Sequence, residues 1–209
     1  MTDGKTNYFY NKACIMDHYY DTLFQYIAQI MDIPEQDKAS CRETFKPLWV
    51  AKDTILEEAG KIHVHHNFIV SGFMRKYYIN DNGEEVTVDL NNSPRFFTSY
   101  YHFVQQTPSN EYLQCITDCE LLRITKTDAD RTAKTSITQK DYTIKLFHQV
   151  QEEYLQRVND LATLTAEQRY VKLVKESPNI IKHVPLKHIA SYLGIKPESL
   201  SRIRREIIS

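Results

Sequence analysis

The sequence predicts an α+β chain: an N-terminal jelly roll (a double-stranded β-helix), a long helix, and a C-terminal helix-turn-helix. Three observations carry that prediction. Many short β-rich segments with turn signals run from Leu48 to Ile124, the pattern of a β-roll or jelly roll. An apolar stripe with three-to-four-residue spacing follows, through Phe147, Val150, Tyr154, Val158 and Leu161, the mark of one long helix. The last two dozen residues, Val184 to Ile207, read as two short helices around a sharp turn.

The chain of 209 residues is 42% hydrophobic and 25% charged, enough to bury a real core in one large or two small domains. It contains no apolar run long enough to span a membrane and no signal-peptide pattern, so a cytoplasmic setting without membrane partners is the expectation. Cys14, Cys41, Cys115 and Cys119 include no C-x-x-C pair. Buried thiols are expected rather than a disulfide framework or an iron–sulfur site, and no cofactor is implied.

Residues 1–16 carry few order signals. Asp17 to Met31 forms a helix with Tyr20, Leu23, Phe24, Ile27 and Met31 on one face, Asp17 as N-cap and Pro34 beyond its end. A second short helix covers Gln36 to Phe45. Strands are then predicted at Trp49–Lys52, His66–Gly72, Phe73–Ile79, Glu85–Leu90, Glu111–Ile116 and Glu120–Ile124. Glu57–Lys61 is a turn, and Asp81-Asn82-Gly83 is a hairpin signal. Of only five glycines, Gly60, Gly72 and Gly83 punctuate this region and Gly194 the terminal turn. Such sparing use points to required backbone geometry.

Helical signals return near Thr135. The Phe147/Val150/Tyr154/Val158/Leu161 stripe is either a core face or a dimer seam; a single helix joining two domains favours the seam and a homodimer. Thr165-Ala166-Glu167-Gln168 is a capping box, opening a helix through about Val174 that presents Ala166, Tyr170, Leu173 and Val174. Pro178 ends it, and Asn179 to His183 reads as a short extended segment, a candidate wing. The domains expected are a β-roll with N-terminal helices (1–135), a dimerisation helix (136–163) and a winged helix-turn-helix (164–209).

In the terminal stretch, Leu186, Ile189, Ala190 and Leu193 give the first helix an apolar face. Gly194 suits a left-handed turn, and Pro197 suits the first turn of the second helix. Leu200 and Ile203 face inward, leaving Glu198, Ser199, Ser201, Arg202 and Arg205 outward. The net charge is only −1, yet from Lys182 to Arg205 the cations Lys182, Lys187, Lys196, Arg202, Arg204 and Arg205 face a single acid, Glu198. A local basic surface of this kind fits double-stranded DNA as a partner.

This order of elements resembles the Crp/Fnr family of transcription regulators, the homologues of the cyclic-AMP receptor protein. The resemblance rests on IASYLGIKPESLSRIRREI (Ile189 to Ile207), FIVSGFMRKYY (Phe68 to Tyr78), NGEEVTVDL (Asn82 to Leu90) and TAEQRY (Thr165 to Tyr170). It implies a cyclic-nucleotide-binding-like β-roll, a homodimer on palindromic DNA, and RNA polymerase as a further contact. In the family an Arg-Glu pair and a later Arg read bases. Here Pro197 replaces the first Arg, while Glu198 and Arg202 match the other two. Glu198 can accept from cytosine N4 and Arg202 can fork onto guanine. The structural alternative for these two is an i,i+4 ion pair. Ser199 resembles the family's small hydroxyl residue. Lys187 adds to the basic face, and Ser199, Ser201, Lys196 and Arg205 are placed for phosphate or capping contacts.

The nucleotide cassette departs from the family. Phe96-Phe97-Thr98 stands where Gly-Glu is expected, and Ser109-Asn110 where Arg-Ser is expected. Without that arginine a buried cyclic phosphate is costly to hold, so control by cyclic AMP is not expected. Arg95 is the one nearby cation and reads as a solvated loop residue. Phe96, Phe97, Tyr100, Tyr101 and Phe103 form an aromatic patch that fills core or, alternatively with Arg95, walls a pocket for an unknown small-molecule effector. A competing class is a β-roll small-molecule or metal-binding protein of cupin type without DNA function, suggested by His63-Val64-His65; the one later histidine of the β segment, His102, lies in the aromatic loop and not on a neighbouring strand. Phe68, Ile69 and Val70 occupy the place of its acidic ligand, so no metal ligand and no enzyme activity are predicted.

Overall fold

The computed structural model describes residues 17–91 and 94–208. Cys14 and the stretch read as poor in order signals lie outside them. Helix α1 (17–28) and α2 (Glu35–Thr44) come first. Helix α1 stops three residues before Met31, and Asp17 already lies within it rather than capping it. Eight strands follow: β1 (Lys46–Val50), β2 (Ile55–Glu57), β3 (His65–Ser71), β4 (Met74–Ile79), β5 (Glu85–Leu90), β6 (Arg95–Phe96), β7 (Tyr112–Cys115) and β8 (Cys119–Thr125). Helix α3 (Tyr100–Gln105) interrupts them between β6 and β7.

The strands form two four-stranded antiparallel sheets, β1-β8-β3-β6 and β2-β7-β4-β5. This is the two-sheet roll that the turn spacing predicted. Side chains alternate across the first sheet. Ile69 and Leu121 join Val50, Met74, Leu113 and Cys115 inside the roll. Phe68, Val70, Leu122 and Ile124 point the other way, against Tyr20, Leu23 and Ile27 of α1 and Phe45. Gly72 turns β3 into β4 at φ +93°, where a Cβ would lie 2.4 Å from the Asp118 carbonyl. Only glycine fits that crossing.

Helix α4 (Lys126–Thr135) follows β8 directly, capped by the Thr125 hydroxyl, which accepts from the Asp128 N–H. Between Ile124 and Thr135 the sequence carries no helical signal, because α4 is largely polar and lacks an apolar stripe. Buried Asp37 then ties α2 to the entry of α5 (Gln139–Thr163): it accepts from the Ser136 hydroxyl at 2.9 Å and from the Thr138 hydroxyl and N–H at 2.7 and 3.0 Å.

Helix α6 (Ala166–Glu176) starts with the predicted capping box, Thr165 and Gln168 each bonding the other's backbone N–H. Tyr170 and Leu173 are buried and Ala166 packs on the core, but Val174 is exposed. Pro178 ends α6 and also opens another helix, α7 (Pro178–His183), since its fixed φ suits a first turn. The extended wing read at Asn179–His183 is therefore a helical turn. Helices α8 (Leu186–Tyr192) and α9 (Pro197–Ile208) close the chain. No described helix is long and apolar enough to cross a membrane.

Candidate nucleic-acid interface and sensor cavity

Helices α8 and α9 make the helix-turn-helix. Gly194 takes φ +70°, its N–H bonds the Ser191 carbonyl at 3.0 Å, and the Ile195 N–H bonds Ala190 at 3.0 Å. These bonds close the end of α8 in the manner of a glycine cap. Ala190, Leu193, Leu200 and Ile203 are buried between the helices, with Ile195 packed beside them.

The outward face of α9 carries exposed Glu198, Arg202 and Arg205, with Lys187 and Lys196 exposed nearby. Ser199 and Ser201 are half-buried. Arg202 is paired with Glu206, Nε to Oε1 at 3.9 Å, rather than with Glu198 as the i,i+4 spacing suggested. At that distance and exposure the pair is weak, so the guanidinium can be redirected. The Ser201 hydroxyl donates back to the Pro197 carbonyl at 3.0 Å, and Arg205 Nε donates to the Ser201 carbonyl at 3.4 Å. Both thus have local partners on α9.

Arginines outside the basic face brace the head, a role that spacing alone did not reveal. Arg157 of α5 donates to the Tyr192 carbonyl at 2.7 Å and lies 3.7 Å over the Tyr192 ring. Arg169 of α6 bonds the carbonyls of Leu164 and Leu193. Lys172 pairs with Asp160 at 2.5 Å, a contact that lowers the aspartate's pKa and raises the lysine's.

The head also docks on the β-roll. Helix α8 packs along β5, the edge strand of its sheet. The Ser191 hydroxyl accepts from the Thr87 N–H at 2.8 Å and donates to the Glu85 carbonyl at 3.1 Å. His183 stacks on Phe73, centroids 5.1 Å apart, and the head's core continues into Leu90 and Ile116. Buried His188 sits in this seam. Desolvation, assisted by Arg75 and Lys187, pushes its pKa down to about 4.

Helix α5 buries no residue. The stripe of Phe147, Val150, Tyr154, Val158 and Leu161 is between 42% and 66% exposed in the single chain. The Phe147 and Tyr100 rings lie with their centroids 6.4 Å apart, and Leu161 lies against Gly194.

The aromatic patch divides between two environments. Phe97 is buried inside the roll, and Phe96 faces the helices opposite Phe68. Phe103 is buried, Tyr100 is half-buried and Tyr101 is exposed. All five border a cavity of about 490 Å³. Arg95 is not a solvated loop residue. It lies in β6 at 3.8 Å from Asp89 and 3.5 Å from Glu153 of α5, and these carboxylates, Asp89 first, raise its pKa.

In the cassette, the Thr98 hydroxyl accepts from the Asn67 N–H at 2.9 Å. Ser109 is buried, donating to the Ser99 hydroxyl, which itself donates to Glu111. The histidines of the metal reading have other partners: His63 bonds the Glu58 carbonyl, His65 pairs with Glu57 and His102 bonds Thr107. Among the described residues no group of three or more histidines, cysteines and carboxylates could hold a metal ion.

No protein-family model matches the sequence, and no curated protein is similar to it. Solved structures do share its fold. CLP of Xanthomonas campestris, described as a c-di-GMP-responsive global regulator, superposes with a TM-score of 0.67 at 15% identity, over 83% of this chain and 91% of that one. FixK2 of Bradyrhizobium japonicum gives 0.65 at 14% identity over 78% and 84%. A protein of Eubacterium rectale assigned to the Crp/Fnr family of transcriptional regulators gives 0.65 at 18% identity over 84% and 83%. The chain has the fold of Crp/Fnr regulators: a cyclic-nucleotide-binding-like β-roll followed by a helix-turn-helix.

Proposed function

We propose that this chain is a sequence-specific, DNA-binding transcription regulator of the Crp/Fnr type that acts as a homodimer. The observation that carries the reading is the outward face of α9, where Glu198 and Arg202 stand exposed on a closed helix-turn-helix within that fold. Arg202 reads guanine and Glu198 reads cytosine, each good contact being worth roughly 1–3 kcal/mol of discrimination. Lys187, Lys196, Ser199, Ser201 and Arg205 position the head on phosphates. Domain roles follow the chain: 1–135 sensor, 136–163 dimerisation, 164–209 DNA reading.

Two copies pair along the exposed stripe of α5, and their recognition helices address half-sites about one helical turn apart. RNA polymerase is the further contact through which bound protein alters transcription. The cassette has its hydroxyls joined in a hydrogen-bonded network and Arg95 paired with carboxylates. That supports control by something other than cyclic AMP, through a small molecule at the roll that changes how the heads are held.

Fluorescence anisotropy with a random labelled duplex tests the reading. Binding that falls steeply as salt rises is expected. Absence of binding at low salt overturns it.

A further inference from the structure

The cavity bordered by the aromatic patch extends beneath α1, α2, α4 and the start of α5, on the outer face of the β1-β8-β3-β6 sheet. Its wall there includes His66 of β3 and Tyr142 of α5. His66 shares the outward register of Phe68 and Val70, so it faces this chamber and not the interior of the roll. Among the described residues, His66 Nδ1 and the Tyr142 hydroxyl are buried and have no hydrogen-bond partner. A buried polar atom left unpaired is costly, and two of them in one chamber wall call for an explanation beyond packing.

The wall chemistry narrows what could satisfy them. His66 stacks on Phe96, centroids 4.6 Å apart and planes 7° apart, and lies 5.4 Å from Phe103. Tyr142 meets the edge of the same Phe96 at 6.3 Å. Phe96 therefore lies beside both rings, and Phe103 beside His66. Each charged side chain on the wall already has a partner: Asp37 accepts from Ser136 and Thr138, Arg95 pairs with Asp89 and Glu153, and Lys76 pairs with Glu111. Burial keeps the Cys41 thiol protonated, its pKa pushed up to about 11, and keeps His66 neutral, its pKa pushed down to about 4. An ion entering here would lose water and gain no counter-charge. A neutral imidazole and a phenol can each give or take one hydrogen bond.

We propose that this chamber binds an uncharged, planar aromatic molecule bearing one hydroxyl group, held by hydrogen bonds to His66 Nδ1 and the Tyr142 hydroxyl. The cavity volume of about 490 Å³ is in the range of small-molecule sites. The ligand bridges β3 to α5, the helix that carries the dimer stripe and leads to the head. The inference deepens the sensor part of the proposed function and rests on it for what the ligand controls, while binding itself is a property of the chamber alone.

The test is a fluorescence titration of the purified full-length protein, without DNA, using 1-naphthol, naphthalene and 1-naphthoate near pH 7. One saturable site for 1-naphthol is expected, with naphthalene and 1-naphthoate each about tenfold weaker or more, the value of one lost hydrogen bond or an uncompensated charge. Tyr142→Phe and His66→Phe should each weaken 1-naphthol about tenfold and leave naphthalene within about twofold. Circular dichroism melts check that both variants fold, and Tyr142→Phe, which removes one oxygen atom, suffices alone if His66→Phe does not. Equal binding of naphthol and naphthalene would mean that the two atoms are satisfied by water and would overturn the proposal. So would equal binding of naphthol and naphthoate, unchanged naphthol affinity in a folded Tyr142→Phe protein, or no binding of any of the three. Because no DNA is present, failure of the DNA-binding reading leaves this result unaffected.

Discussion

The hydroxyl of Ser191, on the first helix of the helix-turn-helix, accepts a 2.8 Å hydrogen bond from the backbone N–H of Thr87 on the β-roll. The same hydroxyl donates to the Glu85 carbonyl two residues away, at 3.1 Å. One side chain thus completes part of the unpaired ladder of an edge strand, using a hydroxyl's capacity to give and take at once. It is also a direct polar tie between the β-roll and the helix-turn-helix, set beside an apolar seam that runs from Leu90 and Ile116 into the head.

Ser191→Ala should loosen the head from the roll. Each lost bond is worth about 0.5–1.5 kcal/mol. Amide hydrogen exchange at Thr87 is expected to speed up by about tenfold, while strands β3 and β8 keep their protection. Unchanged exchange at Thr87 would mean that the seam does not depend on this clasp.

Gly72→Ala should cost more. The added Cβ would sit 2.4 Å from the Asp118 carbonyl and 2.7 Å from Cys119 Sγ, at a φ of +93°. Strain at such a backbone position costs on the order of 1–3 kcal/mol before the clash is counted. Urea denaturation should show a loss of at least about 2 kcal/mol, against little change for an exposed control such as Lys175→Ala.

Stability should fall with acid between pH 6.5 and about 4. His66 and His188 are both held neutral by burial, with folded pKa values of about 4 against an ordinary 6.5. The unfolded chain therefore binds protons first, and stability present above pH 6.5 is lost as pH falls towards 4. Each histidine contributes a slope of about 1.4 kcal/mol per pH unit in that window. His188 faces Arg75 and Lys187, which add to its depression, and Glu85 and Asp53, which oppose it. Urea midpoints from pH 7 down to pH 4 should fall less steeply in His188→Gln than in the wild type.

Val150→Glu with Val158→Glu should give monomers by sedimentation velocity. Both side chains are exposed in the single chain, on a helix with no fully buried residue, and a charge in a knobs-into-holes seam is left unpaired. A double variant that remains dimeric would place the interface elsewhere.

Much of the architecture was legible because it rests on local rules. The capping box at Thr165–Gln168, the Asp81–Gly83 hairpin, the apolar stripe of α5 and the Gly194 turn each announce themselves within a few residues. What was missed depends on distant partners or on elements too short to show a period. Strands β2 and β6 are three and two residues long. Helix α4 has Thr132 as its one buried residue and hangs on a threonine cap. Pro178 signals a helix end and a helix start alike, so α7 read as a break. In the candidate sites, the face of α9 is a local pattern and was readable. The chamber was legible in part: the run Phe96, Phe97, Tyr100, Tyr101 and Phe103 offers a pocket wall and all five border the cavity, but its two key atoms come from His66 and Tyr142, placed in one wall only by the packing of α5 on the sheet. Ser191 likewise acquires its role from Thr87, 104 residues earlier.

The most direct test of the central claim is selection of bound duplexes from a random library, done with the wild type and with Arg202→Ala. The account predicts enrichment of inverted half-sites about 10 base pairs apart, with binding to them weakening steeply between about 50 and about 200 mM salt. In Arg202→Ala one position of each half-site should relax, at a cost of about 1–3 kcal/mol per contact. No enriched sequence, or an enriched sequence that Arg202→Ala reads as well as the wild type does, would contradict the assignment of α9 as the DNA-reading helix.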